Sequence, residues 1–212
     1  MAFFNSDVPL LARKPSLASV PASPDTWRVH CSIGHAALWS SFYTRHDQAC
    51  LSWGLLAASI FAMAQFLPLS WTTQALLASI LTALGSFAMA WLTWRYTHHD
   101  QLAWILYSWL ALMLVGTILT DLGVWRPWGV MLVNLCPLWL ILCGIGYFIT
   151  ALGMRSRLIL LCSAAHFLAI ALLPLFVTYQ ILLTGFVISG SAILLAELQW
   201  DSNGVCNYQS LN

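Results

Sequence analysis

Between residues 49 and 197 the only charged side chains are Arg95, Asp100, Asp121, Arg126, Arg155, Arg157 and Glu197, and each stands at the border of a long apolar run. A membrane-spanning helix needs about 20 mainly apolar residues, because each rises about 1.5 Å across a hydrocarbon core about 30 Å thick. Segments 49–69, 73–94, 102–120, 128–151, 157–174 and 176–197 meet that requirement. Peptide groups surrounded by hydrocarbon must close their hydrogen bonds within the segment, so each run is expected to be helical. The predicted fold is an all-α integral membrane protein, a bundle of six transmembrane helices over 49–197. The fifth and sixth runs are divided only by Pro174 in PLFVTYQ, but a single helix over both would far exceed the bilayer.

Composition supports the same class. Charged residues make up 7% of the chain and hydrophobic ones 60%, whereas a soluble domain carries about 25% charge. A net charge of +1 gives no basic surface of the kind nucleic acid requires. The expected partners are the lipid bilayer and another membrane protein or a second copy of the chain.

Short loops rich in Lys and Arg stay on the cytoplasmic side. Six spans gather Arg13, Lys14, Arg28, Arg45, Arg95, Arg155 and Arg157 at one face and leave Arg126 at the other. Both termini are therefore expected to be cytoplasmic, in a cytoplasmic or internal energy-transducing membrane. Trp71, Trp125 and Trp128 fall at the outer border of this frame, and Trp91, Trp94, Trp104 and Trp200 at the inner one, where amphipathic rings concentrate.

Residues 1–34 are expected to form a polar, largely disordered tail, because KPSLASVPASPD lacks the apolar surface to offset ordering. Asp7 and Pro9 do not fit a removable signal peptide. Over 35–48, the recurrence of Leu38, Trp39, Phe42 and Tyr43 at i, i+1, i+4 and i+5 predicts an amphipathic helix at the membrane interface. Residues 198–212 form a short second cytoplasmic tail.

The triplet HDQ occurs at His46-Asp47-Gln48 and His99-Asp100-Gln101, each just before a predicted span. Asp47 and Asp100 are expected as helix N-caps, accepting from unpaired backbone N–H groups. A metal-binding reading competes with this. His46, His98, His99 and Asp100 share one membrane face, and the tail adds His30, Cys31 and His35 in HCSIGH. These are zinc, copper or iron ligands by type, but no Cys-x-x-Cys or His-x-x-x-His spacing accompanies them.

Inside the bundle His166 is the one ionisable imidazole at mid-membrane, with Ser86 and Ser189 at similar depth as candidate partners. An intramembrane ionisable group is a functional candidate. A haem, pigment or proton relay would need a second titratable or ligating group, and a hydrogen-bonded packing histidine needs none. Gln65 and Asn134 are expected to bond each other across helices, and Pro137 to kink the fourth span by depriving the Val133 carbonyl of its partner. Small residues four apart, Ala165 with Ala169 and Gly185 with Ser189, predict close helix packing. Asp121 and Arg126 share an outer loop and can pair, Glu197 falls at the inner end of the last span near Arg155 or Arg157, and all are read as boundary charges.

No catalytic constellation is visible. The leading expectation is a non-catalytic subunit or assembly factor of a larger membrane complex, acting through helix contacts. The alternative is a small transporter or channel component with a pathway near His166, Asn134 and the Pro137 kink. Metal binding by the cytoplasmic-face ligands ranks third.

Overall fold

The computed structural model describes residues 4, 9–17, 26–33, 36–99 and 101–201. Long helices dominate: α1 (Arg45–Phe66), α2 (Trp71–His99), α3 (Ala103–Trp125), α5 (Leu135–Met154), α6 (Arg157–Leu172) and α7 (Gln180–Glu197), with the single-turn α4 (Gly129–Val133) before α5. Five helical stretches are long and apolar enough to cross a membrane, the last being Arg157–Glu197, 41 residues counted as one.

That last stretch folds back on itself. Pro174 enters a 3-10 turn over Leu173–Tyr179, and Phe176 leaves the helical region altogether (φ −123°, ψ 47°). Asp201, just after α7, accepts the hydroxyl of Ser156, just before α6, at 2.7 Å. Helices α6 and α7 are therefore antiparallel, as the break expected at Pro174 requires. The helices alternate in direction throughout. One end of the bundle carries the bond from Gln65 Nε2 to the Thr178 carbonyl (3.5 Å) and from Ser79 Oγ to Asp121 (2.9 Å). The other end carries both ends of the described chain.

The fourth run is broken where Pro137 demands it. The chain leaves the helix at Asn134 (φ −102°, ψ 16°), between α4 and α5, one residue after the carbonyl that proline leaves unserved. Asn134 N bonds back to Met131 O instead of continuing the ladder. The Val130 carbonyl this leaves open receives the Asn134 side-chain Nδ2 at 2.8 Å. Asn134 thus serves its own break and does not bond Gln65.

Glycines let aromatic rings reach helix backbones. A Cβ at Gly146 would collide with the Trp109 ring, one at Gly85 with Trp53, and one at Gly185 with Phe61. Across the α1–α7 contact, Gly54 faces the Ser189 carbonyl, so the small-residue face expected at Gly185 and Ser189 is used. Ala165 is exposed while Ala169 is buried, so that pair does not form one packed face.

The first forty-odd residues differ most from expectation. Residues 36–43 are not a helix: β3 (Ala36–Tyr43) pairs antiparallel with β2 (Trp27–Ile33). Trp, Phe and Tyr fit a pleated surface better than a helix. Ile33 pairs with Ala36, and Gly34 and His35 between them lie outside the described residues. Nor are the described parts of the tail loose. Strand β1 (Leu11–Ala12) pairs with β4 (Gln199–Trp200), and the nearby Lys14 reaches into the bundle end, its side chain 9% exposed. Residues 18–25, the rest of the Pro/Ser stretch, lie outside the described residues.

Candidate functional site

Three places gather polar groups. At the end carrying the termini, Thr44 caps α1 and Asp47 occupies the third helical position. Asp47 N donates to Thr44 Oγ1 (3.3 Å), and Thr44 N donates to Asp47 Oδ2 (2.9 Å). This reciprocal capping box corrects the expectation that Asp47 is itself the N-cap. Its carboxylate is engaged by Lys14 Nζ at 2.8 Å. The same ammonium donates to the carbonyls of Phe42 (3.0 Å) and Ala196 (2.6 Å) and lies 4.7 Å from the Tyr43 ring centroid. Gln48 is fully buried and donates to the Tyr43 carbonyl at 3.0 Å. Lys14 thus ties the N-terminal segment, the start of α1 and the end of α7 together.

A second tie lies beside it. Asp201 is 2% exposed. It accepts from Ser156 Oγ, from Arg157 Nε at 2.8 Å, and from the backbone N–H groups of Arg157 and Leu158. Burial alone would push its carboxyl up. The hydrogen bonds from Arg157 and Ser156, then from the two backbone groups, outweigh it and hold the carboxyl below its ordinary value. Glu197 accepts from the Tyr43 hydroxyl at 2.9 Å.

The second HDQ is used differently from the first. Helix α2 runs to His99, Gln101 takes a left-handed conformation (φ 55°), and α3 starts from Leu102 with no side-chain cap. Asp100 is therefore not at the N-cap position, and its structure lies outside the described residues. The metal candidates that are described have separate neighbours. His46 Nε2 lies 3.5 Å from Cys50 Sγ with Trp200 alongside. His98 stacks on Trp94 at 4.2 Å and bonds its carbonyl, and His30 is exposed on β2. Among the described residues no three His, Cys, Asp or Glu side chains converge to hold a metal. His35, and the side chains of Cys31 and His99, lie outside the described residues.

His166 is fully buried. Its Nδ1 lies 2.7 Å from the Cys162 carbonyl and must carry the proton, since a carbonyl only accepts. Tyr147 covers the ring at 5.0 Å between centroids. Nε2 has no hydrogen-bond partner among the described residues. The expectation that Ser86 or Ser189 would satisfy it is not met: Ser189 Oγ donates to Gly185 O, and Ser86 is only half-buried.

The third place was not read as a site from the sequence. A cavity of about 440 Å³ lies between α1, α2, α3, α5 and α7, at the end opposite the termini. Its wall holds Gln65, Gln74, Ser79, Thr82, Thr117, Thr120 and Gln180, and no charged side chain. Gln65 Oε1, buried in this wall, has no donor among the described residues. A second cavity of about 100 Å³ lies further along the same helices toward the termini, lined by His46, Cys50, Thr93, Tyr147 and Thr150. Trp53 lines both. On α1, α2, α3, α5 and α7, which line both, the two sets of lining residues are successive stretches, so the cavities follow one axis. At the level of Trp53, Met113 packs with Cys143 and Ile188, which belong to the wall of the larger cavity. His166, Asn134 and Pro137 line neither cavity. Of the expected intramembrane polar candidates only Gln65 does, and of the metal candidates His46 lines the smaller one.

The sequence signal for this cavity is a stripe on α2. Gln74, Ala78 and Thr82, with Ala75 and Ser79, recur at i, i+4 and i+8, which places small and polar groups on one helical face. The helices and this uncharged interior have the character of a multi-pass helical membrane protein. No protein-family model, no curated protein and no solved structure matches this chain.

Proposed function

We propose that the chain crosses a membrane six times with both termini cytoplasmic, and that its axial cavities bind and pass a small uncharged amphipathic solute. The reading is carried by the two cavities on one axis with Trp53 between them. Amide and hydroxyl groups supply hydrogen bonds without fixed charge, and apolar side chains fill the remaining wall, a lining suited to a neutral molecule with a polar end. The unpaired Gln65 Oε1 offers an acceptor to a solute N–H or O–H, whose loss of water would otherwise be uncompensated. The six-crossing arrangement is supported by the fold-back at Leu173–Tyr179, and the orientation by the excess of basic residues at the end carrying the termini. No step of catalysis belongs to this reading.

Proteoliposomes containing the native chain should shrink and re-swell faster than protein-free liposomes in a glycerol gradient read by stopped-flow light scattering. Equal rates would reject passage.

The earlier expectation of a complex subunit is favoured by a different observation. The β2–β3 hairpin is a two-stranded sheet that exposes Trp27 (51%) and Val29 (41%). Among the described residues neither outer edge has a strand neighbour, and such an edge accepts a partner strand. Stoichiometric copurification that is lost on replacing Trp27 and Val29 by Ser would support this role.

A further inference from the structure

Where α1 begins and α2 approaches its end, a groove of about 590 Å³ opens on the outside of the bundle, lined by Arg45, Phe87, Ala90, Trp91, Trp94 and Arg95. We propose that this groove binds an anionic glycerophospholipid, its phosphate between the two guanidinium groups and an acyl chain along Trp91 and Phe87. Its charge argues for that occupant. Two arginines and, among the described residues, no carboxylate line the groove, and a guanidinium fork matches phosphate oxygens in a bidentate way that a zwitterionic headgroup's added ammonium would oppose. The two arginines are not equivalent. Arg45 donates to Gln48 Oε1 at 3.3 Å, and Gln48 is fully buried, so the fork is held in place before a ligand arrives. Arg95 is exposed and makes no ion pair among the described residues.

The shape agrees with a lipid rather than a free anion. From Arg95 to Phe87 the groove follows eight residues of helix, about 12 Å, from the charged end toward mid-bundle. Its floor there is purely apolar and aromatic. Trp91 is 76% and Phe87 68% exposed, their rings 6.2 Å apart at 32°. Inorganic phosphate would use the arginines and leave this apolar length uncovered. A diacyl lipid covers both.

The test uses the full chain in detergent, stripped of lipid and titrated with phosphatidylglycerol or phosphatidylcholine, with bound lipid counted by native mass spectrometry. Phosphatidylglycerol should bind at least tenfold more tightly than phosphatidylcholine, and Arg95→Gln should remove most of that difference while leaving phosphatidylcholine binding as it is. Because Arg45 also braces Gln48, Arg45→Gln is read only alongside Arg95→Gln, which touches no internal contact. Equal binding of the two lipids by the native chain would overturn the proposal. So would Arg95→Gln with undiminished preference, or inorganic phosphate competing at concentrations equal to the lipid's.

Discussion

Replacing Lys14 by Met should loosen the whole end of the bundle that holds the termini, although Lys14 lies outside every long helix. Its ammonium is the shared donor for Asp47 Oδ2, Phe42 O and Ala196 O, and both partners in the ion pair are 9% exposed. Removing one member of a buried pair costs about 3–5 kcal/mol, because the remaining charge stays desolvated. Asp47 keeps the Thr44 N–H, and a hydrogen bond to a charged group is worth about 1.5–3 kcal/mol, which offsets part of the loss. The expected cost is therefore about 3 kcal/mol, measured by unfolding in mixed micelles with rising dodecyl sulfate and far-ultraviolet circular dichroism. The double variant Lys14→Met/Asp47→Asn should recover about half of that, since Asn retains an oxygen for Thr44 N but leaves no unpaired charge. A loss below about 0.5 kcal/mol, or a double variant no more stable than Lys14→Met alone, would refute the argument that buried charge drives the effect.

Other consequences are independent of this clasp. Asp201 has its carboxyl held below the ordinary value. Its contribution to stability is thus complete above an unfolded value of about 3.9 and is lost as pH falls through the lower folded value. Native protein should weaken in acid below about pH 4, while Asp201→Asn, about 2 kcal/mol less stable at pH 7, should lose this part of the acid response; an unchanged acid profile would contradict it. On α7, Gly185→Ala places a methyl against Phe61, whereas Gly190→Ala meets nothing within 4 Å. The first should cost about 1–3 kcal/mol and the second should gain about 0.5–1 kcal/mol from helix propensity, and thermal unfolding in detergent distinguishes the signs. His166→Leu removes an orphan nitrogen with one hydrogen bond to a helix carbonyl and touches neither cavity. It should leave glycerol flux unchanged, and a fall in flux would return His166 to the pathway.

The helices were legible because unpaired peptide groups in hydrocarbon leave a long apolar run little choice, and Pro174 and Pro137 marked the breaks for the same reason. Short-range pattern failed over residues 36–43, where aromatic spacing resembled a helical face but pairing with β2 decided the conformation. The polar constellation was harder to read. Counting single intramembrane polar residues drew attention to His166 and Asn134, each of which is occupied by a carbonyl of its own helix. Thr117 and Thr120 look equally self-satisfied, their hydroxyls donating to Met113 O and Gly116 O. They matter because α1, α2, α3 and α5 bring them to one wall with Gln65 and Gln74. The sequence drew attention to Asp47 as a helix start, but placed the cap on it rather than on Thr44. Its partner Lys14 was not legible, since thirty-three residues separate them along the chain.

In the proposed function Trp53, which lines both cavities, is the barrier between two halves of a path. Glycerol flux into proteoliposomes should rise several-fold in Trp53→Ala, which opens the space beside Gly85, and should fall to the protein-free rate in Ala78→Phe, which fills the larger cavity. Two variants that fold and reconstitute like the native chain yet carry glycerol at the native rate would contradict it.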